Sequence, residues 1–137
     1  MNVPLSLCET AIDVSFGDCD PAGITFYPNF FRWTDGLFHS FLRERAHGHN
    51  AICAQLGAKG LGVIATEMRF RSPALDGDTL QIVLNGIEWS ERSFTLAYSG
   101  QIEDRVVFEA IEKRGVFVQD GERMSLAGTN ELQHLLG

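Results

Sequence analysis

Several common signatures of function are missing from this sequence of 137 residues. The chain has three cysteines, Cys8, Cys19 and Cys53. Their odd number and the absence of a CxxC motif argue against a disulfide framework and a structural zinc site. No apolar run approaches the roughly 20 residues that a membrane-spanning helix needs. The N-terminal segment lacks the basic start of a signal peptide. We therefore expect a soluble, cytoplasmic protein that does not act at a membrane.

Positive charge is also scarce. The chain has 18 acidic and 11 basic side chains, a formal net charge of -7. Such a surface repels phosphate backbones, which argues against nucleic acid as a partner. The sequence contains no internal repeat, low-complexity tract or linker, so we predict a single domain over residues 1–137. A chain of this length buries roughly two thirds of its unfolded surface, enough for a core without metals or disulfides.

The pattern of apolar residues predicts one long early helix followed mostly by strands. Aromatic and leucine side chains recur at three- and four-residue spacings over 28–45, which is typical of a helix with a wide apolar face. A second, short helix is predicted near 129–136. Alternating apolar residues and intervening turns predict five strands, over 11–16, 64–70, 79–89, 93–102 and 106–119. The fold class is therefore α+β, with the helix lying across one face of an antiparallel sheet.

The richest segment lies between the first strand and the long helix, where residues 16–29 read FGDCDPAGITFYPN. It places Asp18 and Asp20 in a loop just before the helix begins. The first helical turn presents N–H groups without partners and the positive end of the helix dipole, which together would polarise a carbonyl group. A nearby carboxylate could attack that carbonyl or activate water, and Tyr27 is the predicted N–H donor. Alternatively, both aspartates only bond to loop N–H groups.

This segment, with the following FFRWTD, resembles the signature of the 4-hydroxybenzoyl-CoA thioesterase family. The resemblance implies a hot-dog fold, in which a long central helix lies across a five-stranded, possibly six-stranded, antiparallel sheet. It implies hydrolysis of an aromatic acyl-CoA thioester to the free acid and CoA. No metal or further cofactor is implied, because CoA is part of the substrate. A homo-oligomer, either a dimer or a homotetramer, is expected, with the active site at a subunit interface.

The same resemblance suggests roles by position. The family's catalytic carboxylate corresponds to Asp20, and the backbone N–H that polarises the thioester carbonyl corresponds to Tyr27. Asp35 corresponds to the helix aspartate that contacts the hydroxyl group of the substrate ring. Two alternatives remain for Asp35. It could be a structural aspartate tied to Arg32 or water, or it could be catalytic itself, because a second branch of aroyl-CoA thioesterases uses a glutamate on the central helix.

Other positions depart from the family pattern. Leu61 replaces a polar threonine near the substrate ring, which makes this substrate contact more apolar. Arg92 and Arg123 are the predicted contacts to CoA. The more basic cluster of the family is reduced to Arg92 beside Glu91, and a second basic residue near Arg123 is replaced by Ser125. Because of these changes, the sequence does not determine which substituent, if any, the substrate ring carries. CoA is a polyanion, so within an acidic chain it must meet a local basic cluster.

The sequence is also compatible with three other functions, each less well supported. HGH at 47–49 could bind a metal, although two histidines without further ligands usually form a solvated helix end. The same fold could hydrolyse short-chain aliphatic acyl-CoA, but the aromatic-rich helix and Asp35 favour an aroyl group. A module that binds acyl-CoA or an acyl carrier without hydrolysis is the third possibility, and the intact Asp20 argues against it.

Overall fold

The computed structural model describes residues 6–137, which form three α-helices, one short 3-10 helix and a six-stranded sheet. The helices are α1 (Pro28–Ala46), α2 (His49–Leu56) and α3 (Asn130–Leu136). The strands are β1 (Cys8–Asp13), β2 (Gly60–Phe70), β3 (Thr79–Trp89), β4 (Phe94–Ile102), β5 (Arg105–Asp120) and β6 (Arg123–Ala127). Their order in the sheet is β1-β3-β4-β5-β2, and β6 pairs with β5. The predicted α+β class is confirmed, and the sheet has the larger of the two expected strand numbers.

The predicted helix at 28–45 is confirmed as α1, which begins at Pro28 and extends to Ala46. Proline is well tolerated in the first helical turn, where its missing N–H would have no helical partner. α3 confirms the predicted C-terminal helix. None of the helices in residues 6–137 is both long and apolar enough to cross a membrane.

The predicted strand over 11–16 is wrong at both ends. β1 lies earlier and ends at Asp13, whereas Phe16–Asp18 forms a turn of 3-10 helix. Both the N–H and the hydroxyl of Ser15 donate to Asp18 Oδ2 at 3.0 Å. The alternation of apolar residues continues past Asp13, but these side-chain hydrogen bonds give the chain a capped turn instead.

Two elements were not predicted, α2 and β6. The break between α1 and α2 lies at His47 and Gly48, whose φ angles are 67° and 104°. Glycine adopts such positive angles at little cost, and here they allow a second helix to start directly. β6 pairs antiparallel with the end of β5, with Asp120 opposite Arg123. Because β6 has only five residues, its apolar alternation is too short to distinguish it from a loop.

The described chain divides into two compact units. The first unit contains the described residues up to Phe38 together with Met68–Gly86 and Ala97–Ala110. Phe30 of α1 packs in its core, with ring centroids 5.8 Å from Phe70 and 5.3 Å from Phe108. The core also includes the fully buried alternate residues of β3, Leu80, Ile82 and Leu84. The prediction of a single domain over 1–137 stays a prediction.

The second unit contains His39–Glu67, Ile87–Leu96 and Ile111–Gly137. Its buried apolar side chains come from α1, α2, β2, β4, β5 and α3 and include Phe41, Leu42, Ile52, Leu61, Phe94, Leu96, Val116 and Leu132. Two charged side chains of β5 are also buried, Glu112 at 6% exposure and Arg114 at 4%. Arg114 Nε donates to Glu112 Oε1 at 2.6 Å. This direct pairing offsets part of the cost of removing both charges from water.

Candidate active site

The loop between β1 and α1 is folded into a tight turn that begins at Asp20. Cys19 and Thr25 form an isolated antiparallel bridge at its base. Within the turn, the Asp20 N–H donates to the Ile24 carbonyl and the Gly23 N–H donates to the Asp20 carbonyl, both at 2.9 Å. Gly23 has a φ of 82°, a left-handed conformation that glycine adopts without a Cβ clash. The Pro-Ala-Gly sequence therefore fixes the position of Asp20.

Further hydrogen bonds fasten this loop at two places. The N–H and the hydroxyl of Thr25 both donate to the Ala74 carbonyl, at 2.8 and 2.9 Å, and Thr25 is buried. The Phe26 N–H and the Asn29 side-chain amide both donate to the Asp18 carbonyl, at 2.8 and 2.9 Å. The loop is thus tied to the segment after β2 and to the first turn of α1.

The two loop aspartates use their carboxylates differently. Both Ser15 donors reach one oxygen of Asp18, and Arg32 lies 3.7 Å from the other. Asp20 is half-buried, and its Oδ1 accepts the Ala22 N–H at 2.9 Å, as the alternative reading of a loop aspartate predicts. Its second oxygen receives no hydrogen bond from residues 6–137. Asp20 therefore keeps one carboxylate oxygen available to solvent or a ligand.

Tyr27 directly precedes α1, and its backbone N–H is available. The N–H groups on either side are used, since Phe26 donates to Asp18 and Asn29 donates to Phe26 at 3.0 Å. Pro28 has no N–H. Within the described part of the chain, the Tyr27 N–H has no acceptor. It lies at the N-terminus of a 19-residue helix, where the helix dipole favours negative charge.

An apolar cleft of about 720 Å³ adjoins Tyr27 within the first unit. Its walls are formed by Ile24, Tyr27, Phe30, Phe70, Arg71, Ser72, Pro73 and Ala74. The Tyr27 and Phe70 rings meet edge to face, with centroids 6.3 Å apart. This volume is within the range of small-molecule sites, which are usually apolar with a few polar groups. The arrangement can hold an apolar acyl group beside a hydrogen-bond donor.

The other predicted site residues are distributed over both units. Asp35 lies in the part of α1 that belongs to the first unit and is half-buried. Leu61, Arg92 and Arg123 belong to the second unit. Arg92 Nη1 donates to the Leu126 carbonyl of β6 at 2.9 Å, and Arg123 is the exposed first residue of the same strand. The two predicted CoA contacts therefore both lie at β6.

Leu61 is 2% exposed, and the side chains of His49 and Arg114 bind its two backbone groups. Its N–H donates to His49 Nε2 at 3.1 Å, and its carbonyl accepts Arg114 Nη1 at 2.9 Å. His49 of the HGH motif is thus a backbone-binding residue. In residues 6–137 no three His, Cys, Asp or Glu side chains come together as potential metal ligands.

Cys53 lies close to the same histidine, with its Sγ 3.7 Å from His49 Nε2. Burial raises the pKa of the Cys53 thiol, which keeps it protonated. A cysteine nucleophile needs a lowered pKa, because the thiolate is the reactive form. This pair therefore does not have the electrostatics of a cysteine–histidine catalytic site.

Sequence reasoning did not identify the segment Phe70–Ala74 as part of the cleft. Arg71 follows the last residue of β2 and is one of the residues that line the cleft. Residues near a site in space but distant in sequence carry no local pattern that marks them. One available signal was the turn chemistry of Ser-Pro directly after the strand, because loops that follow a rigid strand often carry binding residues.

Comparisons with known proteins identify relatives that match most of the chain. No family model matches the chain. Over 119 residues it is 30% identical to the 4-hydroxybenzoyl-CoA thioesterase of Pseudomonas sp. (strain CBS-3), which covers 81% of this chain and 83% of the relative. A solved aspartate-to-asparagine mutant of 4-hydroxybenzoyl CoA thioesterase, complexed with 4-hydroxybenzoyl CoA, superposes with a TM-score of 0.81. The identity is 26%, over 95% of this chain and 98% of that chain.

A solved gentisyl-coenzyme A thioesterase superposes with a TM-score of 0.77 and is 26% identical. The superposition covers 93% of this chain and 99% of that chain. Sequence and structure are therefore shared over nearly the full length of these enzymes. The chain belongs to the 4-hydroxybenzoyl-CoA thioesterase family and is an acyl-CoA thioesterase with the hot-dog fold.

Proposed function

We propose that this thioesterase hydrolyses an aromatic acyl-CoA thioester to the free carboxylic acid and CoA. The observation that carries the proposal is the available N–H of Tyr27, at the start of α1 and beside an apolar cleft. Three of the cleft walls are aromatic rings, from Tyr27, Phe30 and Phe70, which suit a planar aroyl group. The relatives named for 4-hydroxybenzoyl-CoA and gentisyl-coenzyme A support an aroyl substrate.

In this proposal Asp20 supplies the catalytic carboxylate. As a general base it takes a proton from water, whose oxygen bonds to the thioester carbon; the C–S bond then breaks and the CoA sulfur is protonated. As a nucleophile it attacks the thioester carbon, the C–S bond breaks and CoA leaves, which gives a mixed anhydride of Asp20 and the acyl group. Water then hydrolyses this anhydride, releases the free acid and restores the Asp20 carboxylate. Both routes place negative charge on the carbonyl oxygen. The Tyr27 N–H and the dipole of α1 stabilise that charge.

The remaining contacts belong to the same proposal. Asp35 contacts a substituent of the ring, and Arg92 and Arg123 bind CoA. The contact of Leu61 with the acyl group stays a prediction, since its side chain is 2% exposed and is not part of the cleft lining. No metal or further cofactor takes part, and the enzyme is cytoplasmic. A homo-oligomer is supported by β2, which is last in the sheet order and exposes Val63 and Ile64 at 48% and 42%. The family resemblance implies that a second copy of the chain completes the active site.

The experiment that tests this proposal is Asp20→Asn, assayed with benzoyl-, hydroxybenzoyl- and hexanoyl-CoA. We expect kcat to fall by about 10²- to 10⁴-fold, because the amide can neither accept a proton from water nor attack the thioester. KM should change little. The wild-type enzyme should hydrolyse the two aroyl thioesters faster than hexanoyl-CoA.

Asp18→Asn is the matched control, since it makes the same chemical change two residues away on a carboxylate whose oxygens already have partners. We expect a much smaller loss of kcat for this variant. Activity of Asp20→Asn within a few-fold of wild type would contradict the catalytic role. A clear preference for hexanoyl-CoA would contradict the aroyl substrate and favour the aliphatic alternative.

A further inference from the structure

The three aromatic rings that line the cleft differ in exposure. Phe30 is 4% exposed, and its ring packs against Phe108 with centroids 5.3 Å apart. Tyr27 and Phe70 are 58% and 50% exposed. The Phe70 ring contacts both of the others, since its centroid lies 6.3 Å from that of Tyr27 and 5.8 Å from that of Phe30. Phe70 therefore joins a buried ring and an exposed ring into one continuous aromatic wall.

The backbone on both sides of Phe70 is held in place. Phe70 is the last residue of β2, which pairs with β5. Directly after it, the N–H groups of Arg71 and Ser72 both donate to the Val107 carbonyl of β5, at 2.7 and 3.3 Å. The Ser72 hydroxyl donates to the Val106 carbonyl at 2.6 Å. Because the main chain is fixed here, little conformational freedom is left to lose when a ligand packs against the Phe70 ring.

Half of the Phe70 side chain faces water in the free enzyme. That exposed half does not contribute to the stability of the fold, since apolar surface stabilises only when it is removed from water. An acyl group that enters the cleft covers it. An aromatic acyl group adds the attraction between two rings to the area that it covers, whereas a saturated acyl group contributes the area alone.

We propose that Phe70 is a specificity-determining residue whose ring packs against the aryl ring of the substrate and favours aromatic over saturated acyl groups. This inference rests on the proposed function, in which the Tyr27 N–H binds the thioester carbonyl and the cleft receives the acyl group. The aryl ring of an aroyl thioester is bonded directly to the carbonyl carbon. A carbonyl held at Tyr27 thus brings the aryl ring to the wall that Tyr27 and Phe70 form.

The test compares kcat/KM for benzoyl-CoA with that for cyclohexanecarbonyl-CoA, whose acyl groups contain the same six-carbon ring in aromatic and in saturated form. The ratio of benzoyl to cyclohexanecarbonyl should fall by about 2- to 10-fold in Phe70→Leu relative to the wild type, because leucine keeps an apolar side chain but removes the ring. Phe70→Met, a second aliphatic replacement, should show the same fall. Phe70→Tyr keeps the ring and should retain the wild-type ratio. Partial loss of folded protein lowers both kcat/KM values equally, so it does not change the ratio.

Phe26→Leu is the matched control. Phe26 is also 50% exposed, and its ring also meets that of Tyr27 edge to face, with centroids 5.7 Å apart. Phe26 is not among the residues that line the cleft. The ratio in Phe26→Leu should therefore equal that of the wild type.

An unchanged ratio in Phe70→Leu and Phe70→Met overturns the inference. An equal fall in Phe70→Tyr also overturns it, because the ring would then not be the cause, and so does an equal fall in Phe26→Leu, because the effect would then arise through Tyr27. Failure of the proposed function is distinguishable from these results. In that case the wild-type enzyme would hydrolyse no aroyl thioester at all, or Asp20→Asn would retain its activity.

Discussion

At the scale of single residues, β5 contains an ion pair between Glu112 and Arg114. Both are buried, and Arg114 also donates to the Leu61 carbonyl. Replacement of Glu112 by alanine removes the carboxylate to which Arg114 Nε donates inside the core. Breaking such a pair typically costs about 3–5 kcal/mol. We therefore expect Glu112→Ala to lower the free energy of unfolding by about this amount, measured by denaturation in urea.

Lys113→Ala is the control for that prediction, since Lys113 is exposed on the same strand, and we expect a change within about 0.5 kcal/mol. The double variant Glu112→Leu/Arg114→Met removes both charges and should recover much of the lost stability. If Glu112→Ala were as mild as Lys113→Ala, the pair would have no energetic role.

At the scale of elements, β4 and β5 pack closely because one position on β4 has no side chain. A Cβ atom at Gly100 would lie 2.3 Å from the Phe108 ring, which is fully buried and cannot move aside freely. The same ring packs against Phe30, a wall of the cleft. The absence of a side chain on β4 therefore helps to determine the shape of the site.

Gly100→Ala should destabilise the protein by about 1–3 kcal/mol, because the extra methyl group overpacks the core. Thermal or urea unfolding measures this change. Gly86→Ala is the matched control, since a Cβ at Gly86 of β3 meets no atom within 4 Å. Equal stability of the two variants would show that Phe108 can shift without cost. A raised KM for aroyl-CoA in Gly100→Ala alone would indicate that the shift reaches the cleft.

The predicted elements show which signals a sequence carries locally. α1 was predicted almost to the residue, because its apolar spacing repeats from Phe30 to Leu42 and Pro28 marks its start. β1 was misplaced, since the alternation continues into a segment that Ser15 and Asp18 cap as a 3-10 turn. α2 was not predicted, because two residues with positive φ between two helices leave no periodic pattern in the sequence. Long periodic elements are thus readable, whereas short ones depend on specific hydrogen bonds.

At the scale of the whole molecule, the homo-oligomer remains a prediction. The middle of β2 exposes Val63 and Ile64, whose side chains point to opposite faces of the strand. A lysine at either position would place a charge in a buried interface, which is costly without a partner. We expect Val63→Lys or Ile64→Lys to lower the molar mass measured by light scattering after size-exclusion chromatography. Activity should fall with it if a second copy completes the site.

Met124→Lys is the control for this surface, because Met124 of β6 is 55% exposed but lies on another strand. The molar mass of the Met124→Lys variant should equal that of the wild-type protein. A wild-type protein that is monomeric at assay concentration and fully active would contradict the predicted oligomer.

The sequence by itself determined the family, the long helix after the DCDPAG loop and Asp20 as the candidate carboxylate. These features depend on contiguous residues whose spacing and identity are preserved in the linear chain. Only the tertiary structure decided three features of residues 6–137: the Tyr27 N–H has no acceptor among them, both carboxylate oxygens of Asp18 but only one of Asp20 have partners among them, and Arg71 lines the cleft. The place of Arg71 depends on a hydrogen bond to Val107, which is distant in sequence. The bonding of Asp18 and Asp20 depends on hydrogen bonds with Ser15 and Ala22 inside an irregular loop, where no periodic pattern records them.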